Sequence, residues 1–138
     1  MFDFFKKKKP ETQTESVIVT LEADDTTVKA FQIKAQQELW YLIEFMGAHA
    51  KDDELFRYAV KTKFTENGKS EHMWVHVNEF KDDYFLGKLV NKPSTMRLIK
   101  YGDTTKVHKD DVEDWLLQDF LTNTHVGKFS SEYIRNSK

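Results

Sequence analysis

Residues 56–90 constrain the fold most strongly, because apolar and polar side chains alternate along three consecutive segments. These segments are FRYAVKTKF (56–64), HMWVHVNEF (72–80) and YFLGKLV (84–90). A period of two is typical of β-strands that bury one face. Asn67-Gly68 favours a tight hairpin turn between the first two segments. The sequence therefore predicts a three-stranded antiparallel meander.

The turn between the second and third segments predicts how these two strands align. If Lys81–Asp83 forms a three-residue turn, Val75 faces Leu89 and Val77 faces Gly87. Both faces of the sheet then carry apolar side chains, so both need cover from the rest of the chain.

Trp74 lies on the more polar side of the second strand, between His72 and His76. One interpretation is that its ring is half-buried beneath Trp115 or Trp40, with its indole N–H bonded at the rim. The other is that Trp74 lines a groove that grips a ligand or a peptide.

Two segments outside the meander have helical spacing. Apolar residues recur every three or four positions from Val28 to Met46, which predicts a helix of about twenty residues that ends near Gly47. Residues 110–121, DDVEDWLLQDFL, have similar spacing and predict a short C-terminal helix. SVIVTLE (16–22) predicts an additional strand, and we expect an edge strand around Phe129.

These elements predict an α+β fold. A strongly bent antiparallel sheet of four to six strands packs against one long N-terminal helix, with a short C-terminal helix in addition. A chain of 138 residues suits one domain. We assign residues 16–138 to that domain and residues 1–15 to a flexible N-terminal segment.

The N-terminal residues 1–10, MFDFFKKKKP, place apolar side chains before the lysines, which is the reverse of a signal peptide. The segment is either a solvated start or a weak anchor, with phenylalanines in lipid and lysines on anionic headgroups. No later stretch approaches the length of a membrane span.

Composition limits the partners and the compartment. The chain has no cysteine, which removes disulfides and thiolate zinc sites and fits a cytoplasmic location. A net charge of −2 makes nucleic acid an unlikely class of partner. Nucleic-acid binding remains an alternative, because Tyr58, Trp74, Tyr84 and Lys88 could share one face of the sheet.

Short motifs follow one another along most of the chain. They are YAVK (58–61), EHMWV (71–75), GKLVNKP (87–93), GD (102–103), VEDW (112–115) and GKFS (127–130). In this order and spacing the sequence resembles the YegJ-like family of uncharacterised bacterial proteins. Val112 and Ser130 replace the isoleucine and threonine of the family pattern. The resemblance implies a bacterial domain of unknown function, and a fold more than an activity.

The candidate catalytic groups have structural explanations. His72 and His76 lie roughly 13 Å apart on a strand, so they cannot share a metal ion. Asp110 and Asp111 suit the start of a helix. We expect Asp114 to accept a bond from a neighbouring backbone N–H or from the Trp115 indole. We therefore predict no catalytic residues, no metal site and no cofactor.

The sequence favours a non-enzymatic binding or interaction module with an aromatic-lined groove. The partner is an unknown protein or small molecule. The candidate partner-binding residues are Trp74, Asn91, Pro93, Asp114 and Trp115. The alternative is a small hydrolase-like enzyme that uses His72 or His108 with Asp114.

Overall fold

One helix lies against one six-stranded antiparallel sheet in the computed structural model, which describes residues 25–52 and 54–129. Helix α1 spans Asp25–Ala48. The strands are β1 (Phe56–Glu66), β2 (Lys69–Lys81), β3 (Tyr84–Leu89), β4 (Thr104–His108), β5 (Asp114–Asp119) and β6 (Thr124–Gly127). A 3-10 helix at Lys109–Asp111 joins β4 to β5.

The strand order is β4-β3-β2-β1-β5-β6, so β4 and β6 are separate edges and the sheet is open. This architecture confirms the α+β class and the N-terminal position of the helix. The predicted strand at residues 16–22 lies outside the described residues. The same holds for the predicted flexible segment 1–15, which includes the possible lipid anchor at residues 1–10.

The meander predicted over residues 56–90 is confirmed, and β1, β2 and β3 pair in antiparallel order. Asn67 and Gly68 both have positive φ, 51° and 80°, as a type I′ hairpin turn requires. The predicted pairs Val75–Leu89 and Val77–Gly87 are also observed.

The turn and the strand geometry that produce this register differ from the prediction. The turn between β2 and β3 contains two residues rather than three, Asp82 and Asp83, with φ of 53° and 70°. A β-bulge between Val77 and Glu79 shifts the pairing by one residue. The extra residue in the bulge compensates for the shorter turn, which explains why the predicted pairs still form.

The main apolar core lies between α1 and one face of the sheet, here called the core face. The helix contributes a stripe at three- and four-residue spacing, and the strands contribute alternate side chains. Cross-strand pairing places Val60 between Val75 and Trp115 on this face, and all three are fully buried. The buried helix residues are Ala35, Leu39, Leu42 and Met46.

The predicted helix at residues 110–121 is wrong. Only Lys109–Asp111 is helical, as a 3-10 turn, and Asp114–Asp119 forms strand β5. Trp115 and Leu117, two residues apart, point into the core, and β5 gains a partner on each side from β1 and β6. The spacing of a short apolar run fits either a helix or a strand. Here the pairing with β1 and β6 determines that the segment is a strand.

The predicted edge strand near Phe129 is found slightly earlier, as β6 at Thr124–Gly127. Phe129 itself is buried, with its ring 5.8 Å from that of Trp115. Among the described residues, no helix is long and apolar enough to cross a membrane.

Candidate functional site

Trp74 lies on the outer face of the sheet, the face opposite α1, and only 7% of it is exposed. It is therefore a buried residue, which agrees with the buried interpretation rather than the open groove. The predicted cover by Trp115 or Trp40 is wrong. Trp115 is on the core face, and Trp40 is 57% exposed on α1.

The backbone of Trp74 is tied to the segment that follows β3. Its N–H donates to Oδ1 of Asn91 at 2.7 Å, and its carbonyl accepts the N–H of Val90 at 3.1 Å. The amide side chain of Asn91 thus continues the pairing past the end of β3. Pro93, which has no N–H to donate, follows half-buried two residues later.

Glu71 is the first residue of the EHMWV motif that contains Trp74, and it binds the segment after β3 at Ser94 and Thr95. Its carboxylate accepts the N–H of Ser94 at 3.0 Å, the N–H of Thr95 at 2.6 Å and the Thr95 hydroxyl at 2.7 Å. Desolvation raises the pKa of Glu71, but these hydrogen bonds outweigh it and lower the pKa to about 2. The carboxylate form is therefore the one that anchors the segment.

Glu66, at the end of β1, binds the same segment in the same way, three residues further along the segment. Its Oε1 accepts the backbone N–H groups of Arg97 and Leu98 at 3.0 and 3.2 Å. The side chain of Asp103, the last residue of the segment, accepts the N–H of Lys100 at 2.9 Å. We call residues 91–103 the display loop, because carboxylates at several points along it fix its backbone.

The display loop presents two large apolar side chains to solvent. Leu98 is 81% exposed and Tyr101 is 61% exposed. Lys92, Arg97 and Lys100 are exposed in the same loop. Asp103 is only half-exposed and accepts the Lys100 N–H, so the fully exposed charged side chains of the loop are the three cations.

Asp114 and Trp115 are neighbours on β5 and stabilise the sheet from its two faces. Oδ1 of Asp114 accepts the N–H groups of Trp115 and Phe129 at 2.8 and 3.0 Å, as predicted for a neighbouring backbone donor. The Trp115 indole instead donates to the carbonyl of Ala35 in α1, at 3.1 Å. Both side chains are almost fully buried, so neither offers surface to a partner.

The five predicted site residues do not line one groove. Trp74 and Asp114 flank Lys61 on the outer face, whereas Trp115 lies on the core face. Asn91 and Pro93 belong to the display loop. Asn91 binds the backbone of Trp74, whereas Asp114 and Trp115 join β5 to Phe129 and to α1.

Neither histidine proposed for a hydrolase is paired with Asp114. Nδ1 of His72 lies 2.7 Å from Oε1 of Glu113. Nδ1 of His108 accepts the N–H of Asp110 at 3.1 Å and caps the 3-10 helix. His108 is on β4, and three strands lie between β4 and the strand of Asp114. Over residues 25–52 and 54–129, no three His, Cys, Asp or Glu side chains cluster as metal ligands.

Sequence reasoning missed the residues that define the display loop, namely Glu66, Glu71, Leu98 and Tyr101. Glu71 stands inside the EHMWV motif, which was a usable signal. Leu98 and Tyr101 lie between Pro93 and Gly102 in a stretch without periodicity. Large apolar residues in a stretch bounded by proline and glycine could have marked an exposed loop.

Comparison with known proteins identifies a family. A family model described as "Uncharacterized protein conserved in bacteria (DUF2314)" matches residues 20–137. The chain is similar to "Uncharacterized protein YegJ" of Escherichia coli (strain K12), with 33% identity over 82 residues, which are 59% of this chain and 51% of that protein.

A second relative is "Putative ankyrin repeat protein NMB1133/NMB1171" of Neisseria meningitidis serogroup B (strain ATCC BAA-335 / MC58). The identity is 28% over 108 residues, which cover 74% of this chain and 43% of that protein. The chain thus spans about half the length of the curated relatives it matches. No solved structure matches it significantly.

Proposed function

The chain belongs to the DUF2314 family of bacterial proteins, and we propose that it is a non-enzymatic protein-binding module that uses the display loop as its contact surface. Leu98 and Tyr101 supply the contact area. Asn91 and Pro93, from the predicted site, shape the loop. Trp74, Asp114 and Trp115 support it through the sheet.

The observation that carries this proposal is the exposure of Leu98 on a backbone that two glutamates hold in place. An apolar side chain on a fixed loop can be buried by a partner without the cost of ordering the loop. Tyr101, three residues further along, belongs to the residue types that dominate binding energy at protein interfaces.

The charges of the loop indicate the chemistry of the partner. Lys92, Arg97 and Lys100 are exposed in the same loop as the apolar pair, although the chain as a whole has a net charge of −2. Complementary charge favours an apolar depression bordered by carboxylates and speeds the encounter. The partner we propose is therefore an acidic protein surface.

One relative also supports protein association. The Neisseria meningitidis protein is named a putative ankyrin repeat protein, and ankyrin repeats stack into extended binding surfaces. A related segment within a protein of that name fits a module that takes part in protein assemblies. We place the module in the bacterial cytoplasm, a reducing compartment that suits a chain without cysteine.

Site-specific photo-crosslinking in bacterial cells tests the proposal. A photoreactive amino acid is placed at position 98, at position 101, or at position 121. Leu121 is the matched control, because it is 71% exposed in the turn after β5. We expect one discrete protein adduct from positions 98 and 101 and none of the same mass from position 121.

The adduct should also depend on charge. Replacing Arg97 and Lys100 together by glutamate should reduce the adduct at position 98 at least tenfold, because the acidic partner is repelled. Equal adducts from positions 98 and 121, or an adduct unaffected by charge reversal, would contradict the proposal.

A second candidate is a small hydrolase-like enzyme, and the contact that favours it joins His72 to Glu113 instead of the predicted Asp114. A carboxylate that orients an imidazole forms the base component of many hydrolytic sites. If this pair is catalytic, the protein should hydrolyse p-nitrophenyl acetate faster than free imidazole does, and His72→Gln should abolish the excess. Hydrolysis no faster than that of imidazole excludes this ester activity.

A further inference from the structure

A cleft opens at the opposite end of the sheet from the display loop. It lies where the start of β1, the bulge of β2 and the turn after β5 meet, and its volume is about 260 Å³. Phe120 supplies an aromatic ring, and Arg57, His76 and Asn78 supply polar groups. The ring of Phe56 packs against Phe45 and His49 on the core face. Ten residues of β1, roughly 33 Å of strand, separate Phe56 from Glu66. The cleft is therefore a different surface from the display loop.

The cationic group of the cleft is held against its aromatic ring. The guanidinium carbon of Arg57 lies 5.1 Å from the centroid of the Phe120 ring. Stacking on an aromatic ring orients the planar guanidinium while leaving its forked N–H donors available. Such a fork matches the two oxygens of a carboxylate.

His76 adds a polar group that is neutral at physiological pH. The side chain is half-buried. Burial lowers its pKa, and the positive charge of Arg57 lowers it further. A neutral imidazole can donate a hydrogen bond to an anion and can also take up a proton when an anion arrives.

Charged groups of both signs lie on the elements around His76. Lys88 of β3 is the register partner of His76 across the sheet. Glu79 follows the bulge on β2 and is exposed. Asp119, the register partner of Phe56, already accepts the N–H groups of Leu121 and Thr122. Among these charged side chains, Arg57 is the one that lines the cleft, so it is the group that can bind an anion there.

We propose that this cleft binds a small carboxylate attached to a flat apolar group, a function separate from protein binding by the display loop. Arg57 binds the carboxylate, Phe120 contacts the flat group, and His76 and Asn78 donate hydrogen bonds. A volume near the lower limit for small-molecule sites suits a single six-membered ring.

Benzoate is the probe, and two-dimensional amide and imidazole NMR of the full chain is the readout. We expect saturable shifts at Arg57, His76, Asn78 and Phe120. The pKa of His76 should rise by about one unit at saturating benzoate, because the bound carboxylate offsets the charge of Arg57. Benzamide, which has the same shape but no charge, should bind at least tenfold more weakly.

Two variants test whether Arg57 binds the carboxylate of benzoate. Arg57→Gln should weaken benzoate binding at least tenfold. Lys63→Gln is the control, since Lys63 is exposed on the same strand and the same face, and it should leave the dissociation constant unchanged. The amide spectra of both variants verify their folding.

Three results would overturn the proposal. They are an absence of saturable shifts in the cleft, equal affinities for benzoate and benzamide, and equal losses of affinity in the two variants. Phe120→Ala gives a second check without changing a charge, because it removes an aromatic wall and should also weaken benzoate binding.

Discussion

Oδ1 of Asn91 accepts the backbone N–H of Trp74 at 2.7 Å, so a side chain of the display loop completes the hydrogen bonding of a sheet strand. Together with the carboxylates of Glu66 and Glu71, this contact ties a thirteen-residue segment without regular structure to the sheet at several points.

Replacing Asn91 by alanine should destabilise the protein by about 1–2 kcal/mol, because the Trp74 N–H loses its acceptor. Asn91→Asp, which keeps an oxygen at this position, should cost less. Urea unfolding of the two variants measures the difference. An alanine variant as stable as the wild type would show that the bond contributes nothing.

Trp74→Ala should lower the free energy of unfolding by about 3–5 kcal/mol, as is usual for a buried aromatic residue. Trp40→Ala is the matched control, because that ring is mostly exposed, and its effect should stay within about 0.5 kcal/mol. Similar losses in both variants would mean that Trp74 is not buried in solution.

Gly87→Ala should be strongly destabilising, by about 2 kcal/mol or more, because of steric overlap. A Cβ at this position would overlap the carbonyl oxygen of His76 and lie 2.7 Å from Cα of Val77, and both are backbone atoms. Gly47→Ala, in the last turn of α1 with no atom within 4 Å of the added group, should be neutral or stabilising. Thermal unfolding of the pair measures the contrast, and a tolerated alanine at position 87 would contradict the observed register.

The contribution of Glu71 to stability should depend on pH. Its pKa falls from 4.5 in the unfolded chain to about 2 in the folded protein. The stabilisation is therefore complete above pH 4.5 and is lost as the pH falls from 4.5 towards 2. After allowance for solvent screening, we expect wild type to exceed Glu71→Gln by about 1–2 kcal/mol at pH 7.

Chemical unfolding of wild type and Glu71→Gln between pH 7 and pH 2.5 measures this dependence. The difference between the two proteins should shrink as the pH falls. A difference that stays constant over this range would show that the ionised carboxylate is not the anchoring group.

The helix and the meander could be predicted from the sequence because their signals are local. Spacing from Val28 to Met46 identifies a helical stripe, and Asn67-Gly68 marks a hairpin. Strand β5 could not be predicted in this way. Residues 110–121 fit a helix by spacing, and the pairing of Asp114–Asp119 with β1 and β6 decides the outcome.

The candidate site was harder to predict for a related reason. The bond from the Thr95 N–H to Glu71 joins residues 24 positions apart, and that from the Leu98 N–H to Glu66 joins residues 32 apart. No spacing in the sequence encodes such contacts. Asn91 and Pro93 were placed in the site as neighbours, but their link to the exposed Leu98 depends on the fold.

Amide hydrogen exchange of the display loop tests the account most directly, because the proposed contact surface requires a backbone fixed by Glu66 and Glu71. The N–H groups of Ser94, Thr95, Arg97 and Leu98 should exchange slowly in the wild type and much faster when both glutamates are replaced by glutamine. Exchange in the wild type as fast as in an unstructured peptide would contradict the account.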